Sequence, residues 1–415
     1  MKRRNFLSLM GAGSLAAGLP AATADPDDRE ISREAAEAAT LDLAGRADPK
    51  IEVNLGHIAW NLAQLKKRVK VPIMGVVKAN AYGHGLVPVA EALEKAGVEA
   101  LMAGKLQEAV ALREAGIRCP ILNFGPFDRR DSREIVGRNI SQSVYTEEAV
   151  YLEEEAAALG RPATVHIDID TGMGRTGVLQ DRALPLIEKI ASLPHLKIEG
   201  VCTTLTEDPE FDKEQLRRFL EICTAAKEKG VSLGWRHAAS SAAVFYSPDF
   251  YLDMIRPGIT LYGYYPNART RKEDVLDLRP ALKLSAKVIF IKDLSPGESL
   301  SYLRAFKVEK KMRAATLGSG YSDGYSFLFG GKTSVRIGKS TFPVLDAVTS
   351  NHIMVDLGDD REVRIGDEAT LIDPDKNSGL TADALAEKGG VPDYKILISL
   401  NPLTPRAYIG AVRPS

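Results

Sequence analysis

Short apolar runs recur between residues 73 and 259, and longer amphipathic stretches separate them. Runs of this length, bounded by turn residues, predict buried strands. The stretches between them carry apolar residues at three- and four-residue spacing and end near glycine, which predicts helices. The predicted strands are Ile73–Val77, Ala100–Ala103, Ile121–Phe124, Gln142–Tyr145, Thr164–Ile169, Ile198–Thr203, Trp235–Ala239 and Met254–Ile259.

Strands that alternate with helices predict parallel βαβ units. Eight such strands fit an α/β fold, a (β/α)8 TIM-type barrel, which we assign to residues 51–283. A doubly wound open sheet is the competing fold, but no GxGxxG motif follows the first predicted strand. After residue 283 strand-like segments alternate with turn signals such as "SPGE" and "DPDKNSG", and one helical pattern covers Thr381–Lys388. Residues 284–415 are therefore predicted to form a mostly β C-terminal domain.

The first 24 residues have the layout of a cleaved export signal. Lys2, Arg3 and Arg4 precede a weakly apolar run, and small residues close the segment at Ala22–Ala24. The paired arginines resemble the twin-arginine class of signals. We therefore expect export to the periplasm or another extracytoplasmic location, with residues 25–50 as a lead-in segment. No run of eighteen apolar residues follows, so no stable membrane span is expected after signal removal.

The composition argues against a nucleic-acid-binding protein and against a metal site. The 415 residues carry a formal net charge of −1, so the chain lacks the basic surplus of a nucleic-acid-binding protein. Its three cysteines have no CxxC spacing, and its six histidines lack the close spacing of metal ligands. No metal site is predicted.

A lysine at the end of the first predicted strand raises the chemical question. In "VVKANAYGHG", Lys78 follows an apolar run, where an unpartnered ammonium is costly to bury. In a barrel of this kind, the carboxyl ends of the strands form the active site. An amine there can form an imine with an aldehyde cofactor, and hydroxyls, backbone amides and Arg256 on the same rim suit a phosphate. Pyridoxal 5′-phosphate fits these groups.

The chain resembles the alanine racemase family of fold-type III pyridoxal-phosphate enzymes, from Ile51 to near the C-terminus. The motifs that carry the resemblance occur in family order: "VVKANAYGHG", "DTGMGRTG", "HAASSAA", "RPGITLYG", "GESLSY", "GYSDGY" and "IMVDLG". One such motif would be weak, whereas seven in order on a predicted barrel are strong. The resemblance implies racemisation of a small amino acid, with L-alanine to D-alanine as the leading expectation.

The resemblance also implies roles for particular residues. Lys78 and Tyr302 are the two catalytic bases, one on each face of the substrate's α-carbon. Tyr302 is expected to reach the lysine of a partner subunit, so the active sites would be shared across a head-to-tail homodimer. The implied cofactor-binding residues are Lys78, Tyr82, His237, Ser241, Arg256, Gly258 and Ile259. Four of them are implied to contact the phosphate: Tyr82, Ser241, Gly258 and Ile259. The implied substrate-binding residues are Arg175, Tyr321, Ser350 and Asp168.

Several positions depart from the family pattern. Asp168 stands where many alanine racemases have a carbamylated lysine, and its carboxylate is expected to orient Arg175 directly. Thr204 replaces a histidine beside the cofactor ring, Asn351 replaces an acid, and Pro402 replaces a tyrosine that closes the pocket. The "TSNH" stretch that contains Asn351, together with Pro402 and the export signal, is similar to periplasmic broad-specificity racemases, which remain an alternative, whereas the "DTGMGRTG" loop is closer to ordinary alanine racemases. A fold-type III amino-acid decarboxylase is a further alternative, although it would need an acid where Arg256 stands.

Overall fold

The computed structural model of the chain describes residues 48–412. The predicted export signal and nearly all of the lead-in segment therefore lie outside the described residues. No helix in residues 48–412 is long and apolar enough to cross a membrane.

Parallel strands form the first sheet, in which neighbours in space follow the order of the chain. Within residues 48–412, seven of them run side by side in the order β2-β3-β4-β5-β6-β8-β9, and the short β7 pairs with β6. Most of these strands are buried on both faces, as expected of a barrel lined by helices. Their bounds are Met74–Val76 (β2), Ala100–Ala103 (β3), Ile121–Asn123 (β4), Ser141–Val144 (β5), Ala163–Asp170 (β6), Val178–Leu179 (β7), Leu196–Cys202 (β8) and Trp235–His237 (β9).

The eighth position of the barrel is an irregular extended segment instead of a regular strand. Met74 donates its N–H to the carbonyl of Ile255, and Val76 donates to Pro257. On the other side, Arg256 donates its N–H to the carbonyl of Ala239. Hydrogen bonds thus join residues 255–257 to both edges of the open sheet and close a TIM-like barrel, which confirms the predicted fold. Proline has no N–H to donate, which explains why this ladder stays too sparse for a continuous strand.

Helices connect the strands and cover the barrel. Asp208 caps the longest helix by accepting from the N–H groups of Glu210 and Phe211, and Pro209 occupies the first turn, where a missing N–H costs nothing. The helices are Leu55–Arg68 (α1), Leu86–Lys95 (α2), Leu106–Glu114 (α3), Ser132–Gly137 (α4), Ala149–Leu159 (α5), Gln180–Ala191 (α6), Pro209–Glu228 (α7), Ala243–Tyr246 (α8), Ala268–Glu273 (α9), Ala382–Gly389 (α10) and Asp393–Ile398 (α11).

The second sheet is mostly antiparallel and contains both ends of the described chain. The first strand, β1, pairs antiparallel with β10 and parallel with β18, so Ile51 lies opposite Leu284 on one side and Arg406 on the other. A buried apolar cluster continues from the barrel into this sheet. The strands are Lys50–Asn54 (β1), Leu282–Leu294 (β10), Met312–Leu317 (β13), Ser334–Ile337 (β14), Ser340–Val348 (β15), Ile353–Gly358 (β16), Glu368–Ile372 (β17) and Arg406–Ile409 (β18), with a small separate hairpin of Ser299–Leu300 (β11) and Phe306–Lys307 (β12).

Candidate active site

A cavity of about 300 Å³ opens at the carboxyl ends of the barrel strands. Half of the predicted site residues line it together, although they come from distant parts of the sequence: Lys78, Tyr82, Arg175, Ser241, Arg256 and Gly258. His237, Ile259 and Asp168 lie close behind the lining, whereas Tyr302, Tyr321 and Ser350 belong to the second sheet region. The barrel rim therefore assembles the cofactor-binding half of the predicted site.

An unusual backbone turn holds Lys78. The four residues that follow it have φ values of 54°, 55°, 52° and 52°, a left-handed run without glycine. Such a conformation costs free energy at each residue and persists only where surrounding contacts fix it. Glu108 supplies one of these contacts by accepting the N–H of Asn80 at 2.9 Å, and its other carboxylate oxygen accepts the N–H of Gly104 at 3.0 Å. The strain is thus located beside the expected reactive amine.

The surroundings of Lys78 favour the neutral amine. Burial first, and then the positive charges of Arg175 and Arg256, lower the pKa of the Lys78 amine below its ordinary value, while Glu108 opposes this shift. A neutral amine is the nucleophilic and basic form of lysine. A Cβ on Gly104 would lie 2.9 Å from the Cβ of Lys78, so glycine leaves the space that the lysine side chain needs. The pocket therefore holds an amine prepared for carbonyl chemistry.

Arg256 is buried at the base of the cavity. Its Nη1 donates to the carbonyl of His237 at 2.7 Å and also to Nδ1 of that ring, while Nη2 donates to the carbonyl of Thr203 at 2.9 Å. Since a guanidinium only donates, Nδ1 of His237 must be the acceptor and the proton of this ring must be on Nε2. Burial, reinforced by Arg256, holds the pKa of His237 well below its usual range, in agreement with a neutral ring.

The histidine network continues through the barrel interior. Nε2 of His237 lies 2.8 Å from Nδ1 of His166, and Nε2 of His166 lies 3.3 Å from a carboxylate oxygen of Glu199. Each neutral ring can therefore accept a hydrogen bond at Nδ1 and donate one from Nε2. The series of hydrogen bonds ends at the carboxylate of Glu199. The hydrogen bond from His166 lowers the pKa of Glu199, and Ser141 donates to the same oxygen at 2.6 Å. These contacts fix the orientation of Arg256 from behind.

Hydroxyl groups and backbone amides gather at the other end of the cavity. Ser241 Oγ accepts the N–H of Gly258 at 2.9 Å and that of Thr260 at 3.4 Å, which leaves the serine proton free to point at an anion. The Gly258 amide, predicted to contact phosphate itself, is thus engaged by Ser241. A Cβ on Gly258 would lie 2.3 Å from the hydroxyl oxygen of Tyr82, so only glycine permits this approach. Within residues 48–412, the buried Ser240 Oγ has no hydrogen-bond partner. This donor set fits a phosphate group.

Asp168 is buried beside Arg256 and contacts the loop that carries Arg175. Its Oδ2 accepts from the Thr176 hydroxyl at 3.1 Å, and its Oδ1 lies 3.7 Å from Cys202 Sγ. Burial raises the pKa of Asp168, an effect that the charge of Arg256 partly offsets. The carboxylate therefore holds the glycine-rich loop through Thr176, the residue next to Arg175, and it also interacts with Arg175 through charge.

Tyr302 lies on the surface of the C-terminal region, with 80% of its area exposed. Tyr321 is also exposed, and its N–H donates to the carbonyl of Thr349. The next residue, Ser322, donates to the carbonyl of Ser350, so Tyr321 and Ser350 lie close together. None of these predicted residues lines the barrel cavity of the described chain.

The structure also reveals site residues that sequence reasoning missed. Glu108 fixes the turn after Lys78, and His166 and Glu199 support His237. Tyr394, from α11, lines the cavity and packs its ring 5.9 Å from that of Tyr82. For these missed residues the sequence offered one signal: His166 lies two residues before the predicted site residue Asp168 on the same predicted strand.

A lysine amine of lowered pKa, in one cavity with a set of donors that fits a phosphate on a parallel barrel, places the chain among barrel enzymes with an aldehyde cofactor. The comparisons with known proteins define the family. Residues 53–266 match the alanine racemase N-terminal domain, and residues 281–408 match the alanine racemase C-terminal domain. The chain therefore belongs to the alanine racemase family. Enzymes of this family depend on pyridoxal 5′-phosphate.

Individual relatives are similar to this chain over most of its length. The alanine racemase of Clostridium perfringens is 38% identical over 364 residues, which cover 86% of this chain and 94% of that protein. The alanine racemase of Clostridium tetani is 35% identical over 368 residues, with the same coverage. Among solved structures, the alanine racemase of Clostridium difficile 630 has a TM-score of 0.82 at 32% identity, covering 89% of this chain and 97% of the other. The alanine racemase from Streptomyces lavendulae has a TM-score of 0.84 at 28% identity, covering 88% and 98%.

Proposed function

We propose that this protein interconverts L-alanine and D-alanine with pyridoxal 5′-phosphate as cofactor. The observation that carries the proposal is the shared cavity of Lys78 and Arg256 in a chain of the alanine racemase family. The relatives quoted above are named alanine racemases, which favours alanine over the broad-specificity and decarboxylase alternatives. Arg256 also stands where a decarboxylase of this fold would need an acid.

Pyridoxal 5′-phosphate, when bound, supplies an aldehyde that condenses with amines and a ring that withdraws electrons from the α-carbon of an amino acid. Lys78 would hold it through Nζ, while Ser241, Tyr82 and Ser240 would hold its phosphate. Arg256 would face the ring nitrogen, and a guanidinium that does not give up its proton leaves that nitrogen unprotonated. Such an arrangement limits electron withdrawal and disfavours side reactions.

The chain's own groups then move the substrate's α-proton. The lowered pKa of Lys78 favours its neutral amine, and Nζ in that form can take the proton from one face of the α-carbon. Inversion requires a second acid on the opposite face, since a single base tends to return the proton to the side from which it came. Arg175, at the rim, can bind the substrate carboxylate through charge-assisted hydrogen bonds.

The second acid is proposed to be Tyr302 of a partner subunit in a head-to-tail homodimer. Three large, strongly exposed side chains support a covered surface in this region: Tyr302 at 80%, Leu303 at 102% and Phe327 at 63% of their areas. Large apolar groups with this exposure are typical of interaction sites. An acid that lies outside its own chain's cavity can complete only another chain's cavity.

The direct test is a chiral assay of the purified protein with pyridoxal 5′-phosphate. We expect L-alanine and D-alanine to reach the same near-equal mixture from either enantiomer, because the two have equal free energy in solution. A panel of larger L-amino acids should react much more slowly, and no CO2 should be released. Conversion of lysine or arginine as fast as alanine would favour the broad-specificity class, and release of CO2 would overturn racemisation as the main activity.

Export across the cytoplasmic membrane is proposed from residues 1–24 alone. The paired Arg3 and Arg4 before an apolar run support it, since a folded-export signal suits an enzyme that must acquire a cofactor first. Fractionation of cells that produce the full chain should place it outside the cytoplasm. Replacement of both arginines by lysine should retain it in the cytoplasm; an unchanged distribution would contradict the proposal.

A further inference from the structure

An acidic side chain lies at the mouth of the proposed cofactor cavity. Glu207 belongs to the loop after β8, and it lines the same cavity as Ser241 and Gly258. Its φ of +69° is in the left-handed region, which non-glycine residues seldom adopt. A carboxylate beside a pocket built for a phosphate anion is unexpected, because like charges in one site repel each other.

Buried contacts hold this acid in place. Oδ1 of the buried Asp212 accepts the N–H of Glu207 at 3.1 Å, as well as the N–H and hydroxyl of Thr206 at 2.9 and 3.0 Å. Gln215 accepts from the Thr206 N–H at 3.0 Å. Strained backbone persists only where its surroundings determine it, and here α7 provides them. The position of Glu207 is therefore a built feature of the loop.

The groups that face Glu207 come from four elements. They are Tyr82 in the turn after Lys78, Tyr246 in α8, Tyr394 in α11 and Asp212 in α7. Burial and then the charge of Asp212 raise the pKa of Glu207. Burial and then the charge of Glu207 raise the pKa of Tyr82, the predicted phosphate ligand. Glu207 also lines one cavity with Ser241 and Gly258, so its carboxyl group lies in the same site as the proposed phosphate-binding groups.

We propose that Glu207 sets the affinity of the cavity for the phosphate of its cofactor, with the ionised carboxylate weakening binding and the protonated carboxyl removing that repulsion. This inference rests on the proposed function, which places a phosphate among Tyr82, Ser241 and Gly258. Glu207 is a positioning residue that acts on cofactor retention and takes no part in proton transfer at the substrate. Cofactor binding should consequently weaken as the pH rises through the range in which Glu207 ionises.

Equilibrium binding of pyridoxal 5′-phosphate to cofactor-depleted protein tests this inference without an activity measurement. We expect Glu207→Gln to bind the cofactor about five-fold more tightly than the unaltered protein at pH 8.5, a size typical of one charge acting through a partly solvated site. The ratio should fall towards one as the pH is lowered, because protonation of Glu207 in the unaltered protein removes the same charge. Glu207→Ser should give the same ratio, because it also removes the charge.

Two controls separate the phosphate from other causes. Glu210→Gln removes a charge three residues away, from an exposed side chain that pairs with Lys213 at 2.9 Å, and should leave the affinity unchanged. Pyridoxal, which lacks the phosphate, should bind equally to the unaltered protein and to Glu207→Gln. Equal cofactor affinities at every pH, or an equal gain for pyridoxal, would overturn the role of Glu207 while leaving the proposed function intact. Failure of the unaltered protein to bind any cofactor would overturn both.

Discussion

Replacement of Lys78 by alanine is expected to reduce the interconversion of L- and D-alanine by at least about 10⁴-fold, the loss typical of removing a group that serves as both nucleophile and base. The variant should also lose the visible absorbance that a lysine-linked cofactor gives. Both effects are expected because Lys78 carries the only primary amine among the described residues that line the cavity.

The expected size of this loss follows from the environment of the amine. Burial, Arg175 and Arg256 lower the pKa of Lys78, so a solvent amine or a surface lysine has a smaller neutral fraction at neutral pH and is a poorer replacement. Small amines added to Lys78→Ala should restore only part of the activity, since they lack the position that the left-handed turn gives Lys78. Rescue should improve as the pH rises and more of the added amine becomes neutral.

Lys105→Ala is the matched control. Lys105 is exposed, follows Gly104 and precedes α3, so its loss removes a nearby positive charge without touching the cavity lining. This variant should retain near-full activity and normal absorbance. If Lys78→Ala kept a tenth of the activity, or if both variants lost activity equally, Lys78 would not be the residue that performs the chemistry.

The barrel could be predicted from the sequence because its signal is local. The strands are short apolar runs between helices that end near glycine, and the helix predicted from "LVPVAEALEKAGV" occurs as Leu86–Lys95. Prediction was weaker where distant segments decide the structure. The last predicted strand, Met254–Ile259, has strand-like residues, but Pro257 interrupts its ladder. The pairing of β1 with β10 and β18 joins residues far apart in sequence, and no local pattern indicates it.

The site was predictable to the extent that its residues belong to motifs. Lys78, Ser241, Arg256 and Gly258 line one cavity, as the family resemblance implies. The residues that support the site were missed because their role depends on proximity in three dimensions, which no sequence pattern indicates. Glu108 is 30 positions from Lys78 along the chain, yet it accepts a hydrogen bond from the turn that follows Lys78. The orientation of Arg175 by Asp168 stays a prediction: the carboxylate accepts a hydrogen bond from the neighbouring Thr176 and interacts with Arg175 through charge.

Replacement of Tyr302 by phenylalanine is expected to lower racemisation about 10²- to 10⁴-fold, the range for loss of a general acid or base. Phenylalanine keeps the ring and removes the hydroxyl, so assembly through this exposed region should be preserved. One enantiomer of alanine should still exchange its α-hydrogen with deuterated water, because Lys78 can remove and return a proton on its own face. Leu303→Ala, next to it on the surface, should retain such exchange and most racemisation.

Mixing two inactive variants separates a shared site from a site within one chain. If Lys78 of one subunit works with the partner subunit's Tyr302, a heterodimer of Lys78→Ala and Tyr302→Phe chains contains one doubly altered site and one intact site. Random reassociation of equal amounts makes half of the dimers mixed, so about a quarter of the original activity should return. If both residues act within their own chain, every site carries one defect and mixing restores nothing. Recovered activity that depends on subunit exchange is thus the result that only an active site built from two copies can give.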